Sequence, residues 1–125
     1  MRDPLVLRFG DLTIDLDNYR VLLRDFPLVL PYREYALLVY LASRVGQVVS
    51  KRRLMEEGLG RHDPGGMRML DEHIRHLKGQ LERGGGTFIH TMEETGYCFR
   101  PEMPRVKSRR LRLTEAVSAT ERTGA

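Results

Sequence analysis

Residues 67 to 83 read Met-Arg-Met-Leu-Asp-Glu-His-Ile-Arg-His-Leu-Lys-Gly-Gln-Leu-Glu-Arg, "MRMLDEHIRHLKGQLER". At about 100° per residue, Leu70, Ile74, Leu77 and Leu81 gather on one side of a helix. Arg68, Glu72, Arg75 and Gly79 line the opposite side. One face is suited to burial and the other to water or a polar ligand. Gly84-Gly85-Gly86 follows at once and stops the helix.

Upstream, residues 58–66 are a loop dense in glycine and proline. Ser50 before it is a good N-cap for a short helix over 51–57, which Gly58 ends. A further helix starts in the turn at Pro31. Tyr35, Leu38, Leu41 and Ala42 share its apolar side, Leu37 lies beside them, and Glu34 suits the positive end of its dipole. Gly46 closes it. Before Pro31 stand four short apolar runs, 5–9, 12–16, 19–23 and 26–29, separated by Gly10-Asp11, Asp17-Asn18 and Arg24-Asp25. Such spacing predicts an antiparallel meander, and Pro27 places the fourth strand at an edge. Downstream, Ile89 and then Tyr97 and Phe99 flank a hairpin tipped by Glu93 and Glu94. Pro101 and Pro104 end the fold.

A chain of 125 residues bounds a single core. Its longest apolar run, 36–42, is far shorter than the roughly 20 residues of a membrane span, and no signal-peptide pattern opens it. The one cysteine, Cys98, has no internal partner, which suits a reducing cytoplasm. Residues 1–104 balance 15 Lys and Arg against 15 Asp and Glu; residues 105–125 carry six Arg and Lys against two Glu, the whole excess of +4. A basic tail on a neutral body reads as an arm for nucleic acid or an anionic surface, or as a solvated terminus.

The order of these elements and four motifs resemble the OmpR/PhoB-type winged helix, the DNA-binding output domain of bacterial two-component response regulators. The family pattern Leu-Thr-x-x-Glu-[Phe/Tyr]-x-Leu-Leu is similar to residues 30–38, LPYREYALL. Gly-x-Val-Val-Ser-[Arg/Lys] is similar to 46–51, GQVVSK. The recognition-helix pattern Arg-x-[Val/Leu]-Asp-x-His-Ile-x-x-Leu-[Arg/Lys]-x-x-Leu-Glu is met by 68–82, and the wing pattern Ile-x-Thr-x-Arg-Gly-x-Gly-Tyr-x-Phe by 89–99, except at Glu93 and Glu94. The resemblance covers about residues 5–100. It implies an α+β fold: a winged helix-turn-helix with an N-terminal antiparallel four-stranded sheet, three helices and a C-terminal β-hairpin wing. Residues 1–104 would be the DNA-binding domain and 105–125 a basic tail. No receiver domain accompanies it, which fits either a fragment or a solitary regulator.

The departures bear on function. Pro31 stands where the family has a capping Thr, and Leu59 where it commonly has Trp. The wing's usual Arg-Gly is Glu93-Glu94. In the family that Arg enters the minor groove, whose negative potential would repel a carboxylate.

On this reading the helix 67–83 enters the major groove of double-stranded DNA. Arg75 is the candidate for a bidentate guanine contact, and Glu72 for accepting from cytosine N4. Arg68, Lys78, Ser50, Lys51 and Arg52 suit phosphates, and Asp71, His76 and Thr91 complete the candidate surface. The basic tail, Arg109 and Arg110 included, leaves the fold after the wing and is expected to supply the charge the wing tip lacks. The simpler reading of Arg68 and Glu72 is an i,i+4 surface ion pair. A second functional reading is a winged helix turned to protein–protein contact through an acidic wing. Resemblance alone implies RNA polymerase contact through loop 58–66 and paired binding to direct repeats.

Metal and catalytic chemistry find little footing. His73 and His76 are spaced i,i+3, but a metal needs three or four convergent ligands, with only Cys98 and His90 to add. Cys98 and His90 lack an orienting third group. The glycine runs lack the Lys-[Ser/Thr] of a phosphate loop. No cofactor, metal or enzymatic activity is therefore expected.

Overall fold

The computed structural model describes residues 5–63 and 65–102. The chain opens with β1 (Val6–Phe9), β2 (Leu12–Asp15), β3 (Arg20–Leu23) and β4 (Phe26–Leu28). They pair antiparallel in sequence order, as a meander. Leu12 faces Leu23 and Ile14 faces Val21, and all four are buried, the two-residue period of a half-buried sheet. Pro27 lies in the edge strand, where its missing N–H breaks no ladder.

The first helix, α1 (Tyr32–Ala42), starts at Pro31, whose side chain makes no capping bond; its carbonyl accepts from the amides of Glu34 and Tyr35. Tyr35, Leu37, Leu38, Leu41 and Ala42 are buried as the periodicity requires. Then comes β5 (Val48–Ser50), a three-residue strand too short to be read from the sequence. Ser50 caps α2 (Lys51–Arg53), its hydroxyl accepting from the Arg53 amide at 3.1 Å. The regular helix expected over 51–57 instead widens into a π-helical turn, Leu54–Gly58, closed by the Leu59 amide on the Leu54 carbonyl. The wider turn buries Leu54 and Met55 together. It also sets Gly58 where a Cβ would stand 3.0 Å from Leu37 Cδ2.

The recognition-type helix α3 spans Gly65–Leu81 and tightens into a 3₁₀ turn, Glu82–Gly84, before Gly85 at φ +92°. It begins two residues before Met67. The glycine pair permits this: a Cβ on Gly66 would meet Met55 Sδ at 2.8 Å. Leu70, Ile74, Leu77 and Leu81 are at most 1% exposed. Each such burial stabilises by about 1.5–3 kcal/mol, so this face holds the helix to the core.

The hairpin β6 (Thr87–Met92) and β7 (Gly96–Glu102) pairs with β5 in the order β5-β7-β6. Phe99 meets Phe9 edge-on at 4.9 Å, joining the two sheets. β7 ends at Glu102 opposite Thr87, whereas the tip lies beyond Gly96 and Met92. The described chain thus ends at the part of this hairpin remote from the tip, by roughly 20 Å of strand, and not beside the tip whose charge the tail was expected to supply. Arg109, Arg110 and the rest of 105–125 lie outside the described residues.

Candidate nucleic-acid interface

With its leucines in the core, α3 turns Arg68, Glu72 and Arg75 to solvent. None of the three forms a hydrogen bond or ion pair with another described residue, so the alternative Arg68–Glu72 pair is not made. A Cβ on Gly79 would meet nothing within 4 Å, which leaves the surface beside Arg75 flat. Two guanidiniums and a carboxylate are thereby held open along one stripe.

On the wing side the stripe is bordered by a groove of about 530 Å³ between α3 and the hairpin, with Asp71, Arg75, Lys78, Thr91 and Tyr97 on its walls. Asp71 is engaged from within. The Tyr97 hydroxyl donates to its Oδ1 at 2.7 Å, and Lys51 Nζ lies 3.3 Å from the same oxygen. Burial first, and the Asp71 carboxylate second, push the Tyr97 phenol above its ordinary pKa. Lys78 Nζ donates to Thr91 Oγ1 at 3.1 Å, placing both candidate side chains together. Arg52 stands out from α2, its side chain 80% exposed beside Glu56.

On the opposite flank stands a site the sequence reading did not find. Glu34 is 3% exposed. Its carboxylate meets His73 Nδ1 at 3.0 Å and His76 Nδ1 at 2.5 Å. It does lie in the first turn of α1, at the positive end of the dipole, but its burial is not evident from that position. The available signal was the pairing of a core-side glutamate with two histidines one turn apart, which becomes visible only once α1 and α3 are packed together.

Residues 25–99 match the family described as "Transcriptional regulatory protein, C terminal". The chain belongs to this family. It is 32% identical over 97 residues to the Transcriptional regulatory protein SrrA of Staphylococcus aureus, covering 75% of this chain and 40% of that protein. It thus spans less than half the length of that curated relative. Among solved structures it is similar to the response regulator DrrB, a Thermotoga maritima OmpR/PhoB homolog, with TM-score 0.68 and 31% identity over 76% of this chain and 44% of that one. It is also similar to the Klebsiella pneumoniae RstA DNA-binding domain in complex with the RstA box, with TM-score 0.67 and 29% identity over 76% of this chain and 96% of that one. The winged helix-turn-helix expected from the motifs is the fold found.

Against the family's wing pattern, the tip here is Glu93-Glu94-Thr95, all exposed. Glu94 takes φ +59°, the left-handed conformation that the pattern's glycine occupies without strain. Among the described residues no three His, Cys, Asp or Glu side chains gather as a metal site needs, and no helix is long and apolar enough to cross a membrane. Cys98 is buried, and His90 Nε2 is turned to the Arg100 carbonyl at 2.9 Å.

Proposed function

We propose that this chain is the DNA-reading module of a bacterial cytoplasmic transcriptional regulator, binding double-stranded DNA with α3 in the major groove. The observation that carries this is the outward stripe of Arg68, Glu72 and Arg75, unpaired among the described residues, on a helix whose other face is locked in the core. The likeness to a domain solved on its DNA box supports it. Arg75 reads guanine and Glu72 accepts from cytosine, while Arg68, Lys78, Arg52 and Lys51 hold phosphates. Protein contact through the wing would draw on Glu93 and Glu94 but leave Arg68 and Arg75 without a role.

Loop 58–66 is our candidate contact for RNA polymerase, and two copies on direct repeats our candidate assembly. The tail, with Arg109 and Arg110, adds phosphate contacts. Extended chain from Glu102 spans at most about 28 Å to Arg110, enough to return toward the wing tip. Deleting 105–125 is expected to flatten the dependence of log K on log[salt].

Selection of bound sequences from random duplexes, followed by Arg68→Ala/Arg75→Ala, tests the central claim. Each lost base contact should cost about 1–3 kcal/mol and relax selectivity at its position. Equal affinity and selectivity in the double variant would overturn it.

A further inference from the structure

We propose that Glu34 is a positioning residue which presents His76 to a backbone phosphate, so that the duplex contact depends on a proton at His76 Nε2. The inference rests on the DNA-binding reading above and adds a ligand and a control to it.

Glu34 has a side chain only 4% exposed, and both its oxygens are taken by imidazoles. An ionised carboxylate only accepts hydrogen bonds, so the Nδ1 atoms of His73 and His76 are the donors. That sets the tautomer, as a carboxylate does for a histidine elsewhere in proteins. His73 is largely covered, with 23% of its side chain exposed, but His76 keeps 51%. Its Nε2 is the atom left for a ligand.

The helix geometry indicates which ligand. Taking Arg68 as zero, Glu72 lies at about 40° and Arg75 at about −20°, whereas His76 lies at about 80°. The centre of a helix in the major groove faces base edges; its flanks face the strands that wall the groove. A phosphate oxygen accepts and does not donate. The neutral ring with its proton on Nδ1 offers it a lone pair, and the protonated ring offers an N–H and a charge. Histidine is the side-chain type that serves as a switch near neutral pH. The resulting cation is compensated by Glu34 from behind.

Among the described residues, the other charged groups on the elements around α3 have partners other than His76. Arg33 of α1 points to Met69 Sδ. Lys51 of α2 pairs with Asp71, Glu56 and Glu57 of the π turn pair with Arg52 and Arg53, and His90 of β6 bonds the Arg100 carbonyl. On α3 itself Glu72, one turn before His76, and Arg75, beside it, are unpaired among the described residues. Glu34 is the group in contact.

The test uses the full chain and a duplex recovered by selection, titrated at pH 6 and pH 8. The parent should bind several-fold more tightly at pH 6, with a salt slope steeper by about one. His76→Gln should remove both differences, and His76→Arg should bind tightly at either pH. A pH profile that survives in His76→Gln overturns the assignment while leaving DNA binding intact. A parent that selects no sequence at all sinks the DNA-binding reading instead. Glu34→Gln should flatten the profile as His76→Gln does. Should that variant fold poorly, imidazole ¹⁵N shifts of the parent at pH 8 decide: a ring protonated on Nδ1 is expected, and one protonated on Nε2 overturns the proposal.

Discussion

The Tyr97 hydroxyl donates a 2.7 Å hydrogen bond to Asp71 Oδ1, tying the wing strand β7 to the helix α3. Lys51 of α2 reaches the same oxygen at 3.3 Å and lies 5.8 Å from the Tyr97 ring centroid. One carboxylate oxygen therefore joins three elements that border the outward stripe. Tyr97→Phe keeps the buried ring and removes only the bond. Because the acceptor is charged, the expected loss of stability is about 1.5–3 kcal/mol by urea unfolding. A loss under about 0.5 kcal/mol would reduce the contact to an ordinary surface interaction.

The same phenol predicts an alkaline transition. Burial is the largest cause raising both Tyr97 and Tyr35, with the Asp71 hydrogen bond adding at Tyr97 and the neighbouring Tyr19 at Tyr35. A raised pKa means that the fold favours the neutral phenol. The stability so gained is complete below the ordinary tyrosine value of about 10 and is lost as pH rises toward the folded value. Urea midpoints should therefore fall between about pH 9.5 and 11.5, and Tyr97→Phe should fall less steeply. Identical slopes would show that the phenol does not govern the transition.

Gly96 is held by shape. A Cβ there would stand 1.9 Å from the Val49 carbonyl oxygen, where β5 pairs with β7. Backbone cannot yield as a side-chain tip does, so Gly96→Ala should separate the two strands and cost about 3 kcal/mol or more. Gly79→Ala is the counterpart. It lies in α3 with open space around it, and should stabilise by up to about 1 kcal/mol through helix propensity. Thermal melts of the pair check both signs, and a mild Gly96→Ala would contradict the steric argument.

These contacts separate what the linear pattern encodes from what it does not. The spacing of Leu70, Ile74, Leu77 and Leu81, and the turn residues between the first four strands, are local signals, and local signals place α3 and the N-terminal sheet to within a residue or two. The outward positions of Arg68, Glu72 and Arg75 follow from the same period. β5 was hidden because three residues carry no periodicity and its partner lies nearly fifty residues on. Glu34 stands in the first turn of α1 as its place in the sequence suggests, but its contacts with His73 and His76 were illegible because they come from across the core. The bond from Tyr97 to Asp71 is likewise illegible in the sequence, because nothing near Asp71 in the chain marks its donor 26 residues on.

The wing tip permits two effects to be separated by neighbouring substitutions. Glu94 occupies φ +59°, which costs a residue with a Cβ about 1–2 kcal/mol. Glycine removes that strain but loses more backbone entropy on folding, about 0.5–1 kcal/mol, so Glu94→Gly should stabilise by up to about 1.5 kcal/mol. Glu93 contributes charge instead. It lies exposed at the tip, where a carboxylate repels the phosphates that α3 must approach. Glu93→Arg should leave the melting temperature nearly unchanged, tighten duplex binding, and steepen the salt slope by about one for each phosphate gained. The double variant should then show the sum of a stability gain from position 94 and an affinity gain from position 93. Should Glu93→Arg leave both affinity and slope as they were, the tip does not reach the duplex, and α3 binds without its wing.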